Sequence, residues 1–292
     1  MVENIDYKME ILTFYSNDSN IEFLAEQKNQ PNQEWAQLYE SEFDLSVILP
    51  AFNEENNIRT IINRLTKTLN KLKLTYELII VDDGSTDGTK KCAIECANNK
   101  INLKIITYKG NMGKGYAIKK GFEFANGNVV LFLDCDLDIQ PEQINGYLRA
   151  LNYGEIVIAS KRHPKSVVEV SLVRKFLSYF FHALVNIMTG LKVNDTQTGL
   201  KAVQRKPLLP VFSVLTIRQF AFDVELLVVA RLNDLTIVEM PVKIKINDRG
   251  FKIQSIWDMF LDLMRITYRL RVTKWYQKSL VQKIRSESIR IV

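Results

Sequence analysis

The 292-residue chain has only two histidines, His163 and His182, and three cysteines, Cys92, Cys96 and Cys135. So few histidines argue against a His-based catalytic triad or a histidine-rich metal centre. An odd cysteine count with no C-x-x-C pair argues against a disulfide framework and a structural zinc site, and fits a reducing compartment. Long hydrophobic runs are missing too. The nearest, residues 176–191, is interrupted by His182 and Asn186 and falls short of the roughly 20 apolar residues a bilayer crossing needs. It suits a buried or interfacial helix. The first twenty residues carry Glu3, Asp6, Glu10 and Asp18 and no clean apolar core, so no signal peptide is expected. Internal repeats and low-complexity tracts are also absent.

Of the residues present, 47% are hydrophobic, enough for a substantial core in one large domain or two small ones. The net charge of +6 is concentrated at one end. Residues 265–292 hold eight basic side chains (Arg265, Arg269, Arg271, Lys274, Lys278, Lys283, Arg285 and Arg290) against Glu287, a local +7 that leaves −1 elsewhere. Tyr268, Trp275 and Tyr276 are interleaved with them, and an apolar stretch, 256–263, comes just before. This is the composition of a helix lying on an anionic membrane surface, although a solvated terminal helix shares it. The basic charge is therefore read as a membrane signal and no nucleic-acid partner is expected.

Segments 45–49, 77–81, 103–108, 129–133 and 155–159 read as strands, with helices over 57–72, 86–97, 114–125 and 141–151 between them. This alternation predicts an α/β fold with a mostly parallel sheet covered by helices on both faces. Ligands of such sheets gather at the carboxyl ends of the strands. Polar residues 1–43 precede the pattern as an extension with no readable role.

The unusual residues sit at those strand ends. The first strand finishes in Pro50-Ala-Phe-Asn-Glu-Glu55, the second in Asp82-Asp-Gly-Ser-Thr-Asp-Gly88, and the fourth in Asp134-Cys-Asp-Leu-Asp138. In an extended strand alternate side chains share a face, so Asp134, Asp136 and Asp138 would crowd together. Like charges that close repel unless a cation sits among them. Oxygen ligands suit Mg²⁺ or Mn²⁺, which keeps waters and engages substrate phosphates. One such cluster alone reads more simply as a solvated acidic loop; three acidic ends on one rim are harder to dismiss. Calcium is rejected, because a loop starting at Asp83 needs Glu at its twelfth position and has Ile94. Thr86 or Asp87 reads as a helix cap, leaving the Asp83 carboxylate free to accept from a nucleobase. Gly110-Asn-Met-Gly-Lys-Gly115 lacks Walker spacing, yet it offers a glycine-lined turn with Lys114 at a helix start, suited to phosphates.

In order, Pro50-Ala-Phe-Asn-Glu54, Val81-Asp-Asp-Gly-Ser-Thr-Asp87, Asn111-Met-Gly-Lys-Gly115 and Asp134-Cys-Asp136 resemble the nucleotide-sugar-binding half of inverting GT-A glycosyltransferases of family 2. Further on, Ala159-Ser-Lys-Arg-His-Pro164, Asp195-Thr-Gln-Thr-Gly-Leu-Lys201, Phe220-Ala-Phe-Asp-Val-Glu-Leu-Leu227 and Glu239-Met-Pro-Val242 are similar to dolichyl-phosphate β-glucosyltransferases. Dolichol-phosphate mannose synthases come next. The likeness spans about residues 44–272 and implies a GT-A domain over 44–252, followed by a basic amphipathic helical segment over 253–292.

By resemblance, Pro50, Glu54, Val81 and Asp83 hold base and ribose, with Phe52, Lys114 and Cys135 in the same nucleotide-binding motifs. Asp134 and Asp136 match the metal-and-diphosphate motif, with Asp138 as a third ligand. Catalysis falls to Asp136, Lys161, Arg174 and Ser178. Lys161 stands where mannose-synthase relatives have an Arg on phosphate, and Arg174 and Ser178 match an acceptor-phosphate pair. Lys252, with Arg249 beside it, falls where the family tends to show Gly-Ser-Lys.

The implied reaction is metal-dependent, inverting transfer of glucose from UDP-glucose to a polyprenyl (dolichyl) phosphate. It is expected on the cytoplasmic face of a membrane, by an enzyme without a transmembrane helix. A phosphate monoester has a second pKa of about 6 and arrives largely dianionic at neutral pH, so it needs no protein base. Residues 176–191, through Phe180, Phe181, Leu184 and Ile187, would dock on the lipid together with the basic tail. GDP-mannose as donor, or a sugar or protein hydroxyl as acceptor, are the alternatives. A hydroxyl acceptor requires a general base, for which Asp195 and Asp223 are candidates. Asp223 and Glu225 also read as buried ion-pair partners.

Overall fold

The computed structural model describes residues 9–14, 24–26, 41–97, 102–246 and 253–289. Contacts divide the chain into two units, Met1–Leu137 and Asp138–Val292.

In the first unit, β3 (Phe43–Ala51), β4 (Tyr76–Asp82), β5 (Leu103–Thr107) and β6 (Gly127–Phe132) are parallel, ordered β6-β3-β4-β5. Helices α1 (Glu55–Asn70), α2 (Thr89–Cys96) and α3 (Lys114–Glu123) make the crossovers. Every expected strand and helix forms, with ends shifted by a few residues. Val47, Ile48 and Leu49 of β3 are completely buried, as a central parallel strand with both faces covered requires. Helix α1 buries Ile58, Ile61, Ile62, Leu65 and Leu69, the stripe an amphipathic helix sets against a sheet. The chain runs outward from β3 to β5 and then returns to β6 on the other side of β3, which places the topological switch beside β3.

Part of the N-terminal extension belongs to this sheet. β1 (Glu10–Phe14) pairs antiparallel with β5, and β2 (Leu24–Glu26) pairs with β1. They satisfy backbone groups that an open β5 edge would expose. Lys90 of α2 fastens the added strand through Glu10 at 2.7 Å. At the amino ends of the strands a polar knot closes the sheet. The buried Glu77 carboxylate accepts from Ser46 Oγ and Asn126 N, both at 2.6 Å, and pairs with Lys104 Nζ at 2.8 Å.

In the second unit, β7 (Ile156–Ser160) pairs parallel with β10 (Ile237–Pro241) and antiparallel with β9 (Lys201–Gln204). β8 (Val167–Glu169) and β11 (Lys243–Lys245) form a separate parallel pair. Around them lie α4 (Ile144–Ala150), α5 (Leu172–Thr189), α6 (Arg205–Val214), α7 (Phe222–Leu232), α8 (Ile253–Thr267) and α9 (Trp275–Ile289). Helix α5 covers the expected interfacial segment. It buries Val185 but exposes Phe176, Tyr179, Phe180 and Ile187, while Phe181 and Leu184 are half-buried.

The basic tail differs from expectation. A π-helical turn, Tyr268–Val272, joins α8 to α9. Tyr276 is fully buried and donates to Glu225 of α7 at 2.6 Å. Arg269 lies over the Trp275 ring, 5.2 Å from its centroid. Tyr276 is therefore a core residue; among the described basic residues of the tail, Arg265, Arg271, Lys274 and Lys278 are exposed. Among the described residues no helix is long and apolar enough to cross a membrane.

Candidate active site

Past β3 and β4 the two loops are stitched together. Asn53 takes a positive φ of 57°, which Asn tolerates. Its Oδ1 accepts from Thr86 N, and its own N–H donates to Ser85 Oγ, both at 2.9 Å. Asp87 accepts from Thr89 N at 3.0 Å and Glu55 N at 3.2 Å, the first N–H groups of α2 and α1, although Gly88 and not Asp87 stands at the N-cap of α2. Glu54 gives its N–H to Thr89 Oγ1 (2.8 Å) and accepts from Asn57 Nδ2 (2.6 Å). Gly84 has a φ of +72°, and a Cβ there would come within 2.5 Å of the Gly110 backbone. Only glycine permits that approach of loop to loop.

Asp83 is buried, and its carboxylate already accepts three hydrogen bonds from the protein. Oδ1 accepts from Tyr108 Oη and Met112 N at 2.8 Å, and Oδ2 from Gly113 N at 2.9 Å. Burial pushes its pKa up against those hydrogen bonds. Asp83 therefore shapes the Gly110–Gly115 turn, whose Gly113 (φ 100°) precedes α3. Val81 and Cys135 are buried and present no exposed side chain; the Cys135 thiol is driven well up by burial. Pro50 is half-buried, and Phe52 is exposed beside these loops.

The acidic segment is not an extension of the strand. β6 ends at Phe132, and the acids lie in a turn that includes Leu137 at a φ of 61°. Strand alternation, which was to put three carboxylates on one face, does not operate there. Among the described residues no three acidic, histidine or cysteine side chains gather into an ion site. Asp134 is instead gripped by Lys114 Nζ, 2.7 and 2.9 Å from its two oxygens. Asp138 opens the second unit, where its C=O accepts from Lys245 N at 3.1 Å. Asp134 and Asp136 still supply hard oxygen donors on either side of Cys135. That pair fits Mg²⁺ or Mn²⁺ taking its other ligands from water and a diphosphate, and does not fit a closed all-protein cage.

In the second unit Lys161 follows β7. Its Nζ lies 3.1 Å from Asp195 Oδ2 and 2.7 Å from Thr198 Oγ1, and its N–H donates to Asp195 at 2.9 Å. Burial alone would raise Asp195, but Lys161, the Thr198 hydroxyl and the N–H groups of Lys161 and Gln197 bring it down to about 2. Burial lowers Lys161, and Asp195 opposes that shift. Asp223 meets the buried Lys201 at 2.7 Å. Glu225 accepts from Thr216 N and Ile217 N, both at 2.8 Å, as well as from Tyr276. Each of these acids is held by hydrogen-bonded or ion-pair partners within the second unit.

Ser178 lies on α5 with Arg174 one turn ahead, and its Oγ accepts from Arg162 Nη2 at 2.9 Å. Arg249 and Lys252 fall outside the described residues. Tyr108, Thr198 and Arg162 were not anticipated. Thr198 had a local signal in its spacing after Asp195, whereas Tyr108 and Arg162 act on residues distant in sequence.

The switch beside β3, the glycine turn ahead of α3 and the acidic pair are the arrangement of a glycosyltransferase of GT-A type. The model of glycosyl transferase family 2 matches residues 46–212, and the chain belongs to that family. It is 33% identical over 248 residues to a dolichyl-phosphate beta-glucosyltransferase of Trichomonas vaginalis, covering 79% of this chain and 75% of that one. The Homo sapiens dolichyl-phosphate beta-glucosyltransferase is 31% identical over 250 residues, covering 79% and 77%. Glucosyl-3-phosphoglycerate synthase from Mycobacterium tuberculosis, solved with Mn²⁺, UDP-glucose and phosphoglyceric acid, shares the fold. It matches at a TM-score of 0.60 and 19% identity over 78% of this chain and 79% of that chain.

Proposed function

We propose that this glycosyltransferase moves glucose from UDP-glucose to a polyprenyl phosphate, with inversion at the anomeric carbon, as a peripheral enzyme on the cytoplasmic face of a membrane. The observation that carries this reading is the state of two aspartates: Asp195 neutralises the half-buried Lys161, and Asp223 the buried Lys201. An Asp held at about 2 makes a poor proton acceptor and Asp223 is engaged by Lys201, so neither candidate base favours a hydroxyl acceptor. A phosphate acceptor arrives already ionised. The names of the similar proteins point to the same acceptor and sugar.

In this reading Asp83 and Gly84 hold the glycine turn in the shape that receives the nucleotide, and Phe52 offers an exposed ring to the base. Asp134 and Asp136 would hold Mg²⁺ or Mn²⁺, which when bound stabilises the charge of the departing diphosphate. Lys114, anchored on Asp134, adds a cation to the same region. Lys161, held by Asp195 and Thr198, would offer its charge to an acceptor oxygen. Arg174 and Ser178 complete the acceptor contact. Catalysis then consists of placing one phosphate oxygen in line behind the anomeric carbon, and a single displacement inverts that centre.

The test is nucleoside diphosphate release from UDP-glucose and GDP-mannose, each with and without a short polyprenyl phosphate and Mn²⁺ or Mg²⁺. Turnover of UDP-glucose that needs both lipid phosphate and metal, and is lost in Asp136→Ala, is expected. Turnover indifferent to lipid phosphate, or a preference for GDP-mannose, overturns the reading.

A further inference from the structure

Residues 161–162 and 194–195 are joined twice. Lys161 N–H donates to Asp195, and Arg162 Nη1 donates to the Asn194 C=O at 2.7 Å. The same guanidinium also reaches α5. Its Nη2 donates to the Ser178 C=O at 2.6 Å and to Ser178 Oγ at 2.9 Å, and the group lies 4.8 Å from the centroid of the Tyr179 ring. One planar fork thus holds a loop carbonyl and the body of a helix together, a geometry a lysine does not reproduce.

Two consequences follow from the donor inventory. A guanidinium only donates, so Ser178 Oγ accepts from it and must turn its own hydroxyl hydrogen elsewhere. The segment 194–195 also carries the counter-ion of Lys161, so both proposed acceptor contacts, Lys161 and Ser178, hang from one stretch of chain.

We propose that Arg162 is a positioning residue for the acceptor phosphate: it orients the Ser178 hydroxyl as a donor and fixes α5 to the segment that holds Lys161. This rests on Ser178 contacting that phosphate. Both bonds from Arg162 to Ser178 are charge-assisted and Ser178 is a proposed acceptor contact, so loss of the guanidinium is read in acceptor affinity and not in donor affinity.

The experiment compares steady-state kinetics of wild type, Arg162→Met, Arg162→Lys, Ser178→Ala and Arg162→Met/Ser178→Ala, varying polyprenyl phosphate and UDP-glucose separately. Both Arg162→Met and Ser178→Ala are expected to raise KM for the lipid phosphate about tenfold, with KM for UDP-glucose unchanged. The double variant is expected to be no worse than either single, because both remove one shared contact. Arg162→Lys is expected to fall between. Additive losses, or an unchanged lipid KM in Arg162→Met beside a raised one in Ser178→Ala, overturn the proposal. A wild-type lipid KM in Ser178→Ala sinks the underlying assignment of Ser178 instead. Should Arg162→Met unfold on thermal denaturation, Arg162→Lys and Arg162→Lys/Ser178→Ala make the same comparison.

Discussion

Asp195 and Asp83 are both buried carboxylates, yet their surroundings shift them in opposite directions. The Lys161 charge and three hydrogen-bond donors outweigh burial at Asp195 and bring it to about 2, whereas Asp83, for which burial outweighs its hydrogen bonds, is raised. The signs follow from linkage. A depressed carboxyl contributes stability above the ordinary carboxylate range and loses it as pH falls toward the folded value; a raised one costs stability as it ionises. Asp195→Asn should therefore flatten the loss of stability between about pH 5 and pH 2 seen in urea midpoints of the wild type. Near neutral pH it should cost about 2–3 kcal/mol, below the full cost of breaking a buried pair, because the half-buried Lys161 loses its counter-ion. An unchanged acid limb would contradict the pairing. Gly84→Ala tests backbone in place of charge. Its left-handed φ and the Gly110 backbone 2.5 Å from a new Cβ predict a loss of more than about 1 kcal/mol. KM for the nucleotide sugar should rise with it, as the glycine turn is displaced. The acidic residues themselves could be picked from the sequence, but their partners could not. Asp195 answers to a lysine 34 positions earlier and Asp83 to a turn 30 positions later, separations that carry no local signature.

Elements were legible where one periodicity governed the whole segment. The unbroken apolar run of β3 and the inward stripe of α1 each had a single explanation, and both formed as read. The turn after β6 shows the opposite case. Its i, i+2, i+4 acids imitate a strand, but the ladder stops at Phe132 and Lys114 takes Asp134 from 20 positions away. Helix α5 was legible as amphipathic, though which face met the protein was not. Phe176, Tyr179, Phe180 and Ile187 fall at helical spacing on its exposed side, and Trp257, Leu261 and Met264 do the same on α8, which packs against it. Such stripes suit an interfacial helix pair. Phe176→Ser/Phe180→Ser should weaken co-sedimentation with lipid vesicles at least about tenfold, since each ring forfeits roughly 1–2 kcal/mol of apolar burial. Binding of UDP should be unchanged, and vesicle binding equal to wild type would assign the stripe to another partner.

Across the whole chain, charge is divided far more sharply than the net +6 suggests: the last 28 residues carry +7 and everything before them −1. Burial of Tyr276 and the stacking of Arg269 on Trp275 spend the tail's inner aromatic residues on holding α9 in the second unit. Past α8, Arg271, Lys274 and Lys278 are exposed. The tail should therefore act as a fixed basic surface, complementing the apolar stripes of α5 and α8. Each exposed cation near an anionic leaflet contributes about 1 kcal/mol, an attraction that fades beyond a Debye length of about 8 Å at physiological salt. Reversing all three, Arg271→Glu/Lys274→Glu/Lys278→Glu, should remove most binding to anionic vesicles and flatten its salt dependence. The Phe176/Phe180 variant should instead lower binding at every salt concentration by a similar factor. If both variants respond to salt alike, the two surfaces do not act as separate contributions and the division of labour between charge and apolar contact fails.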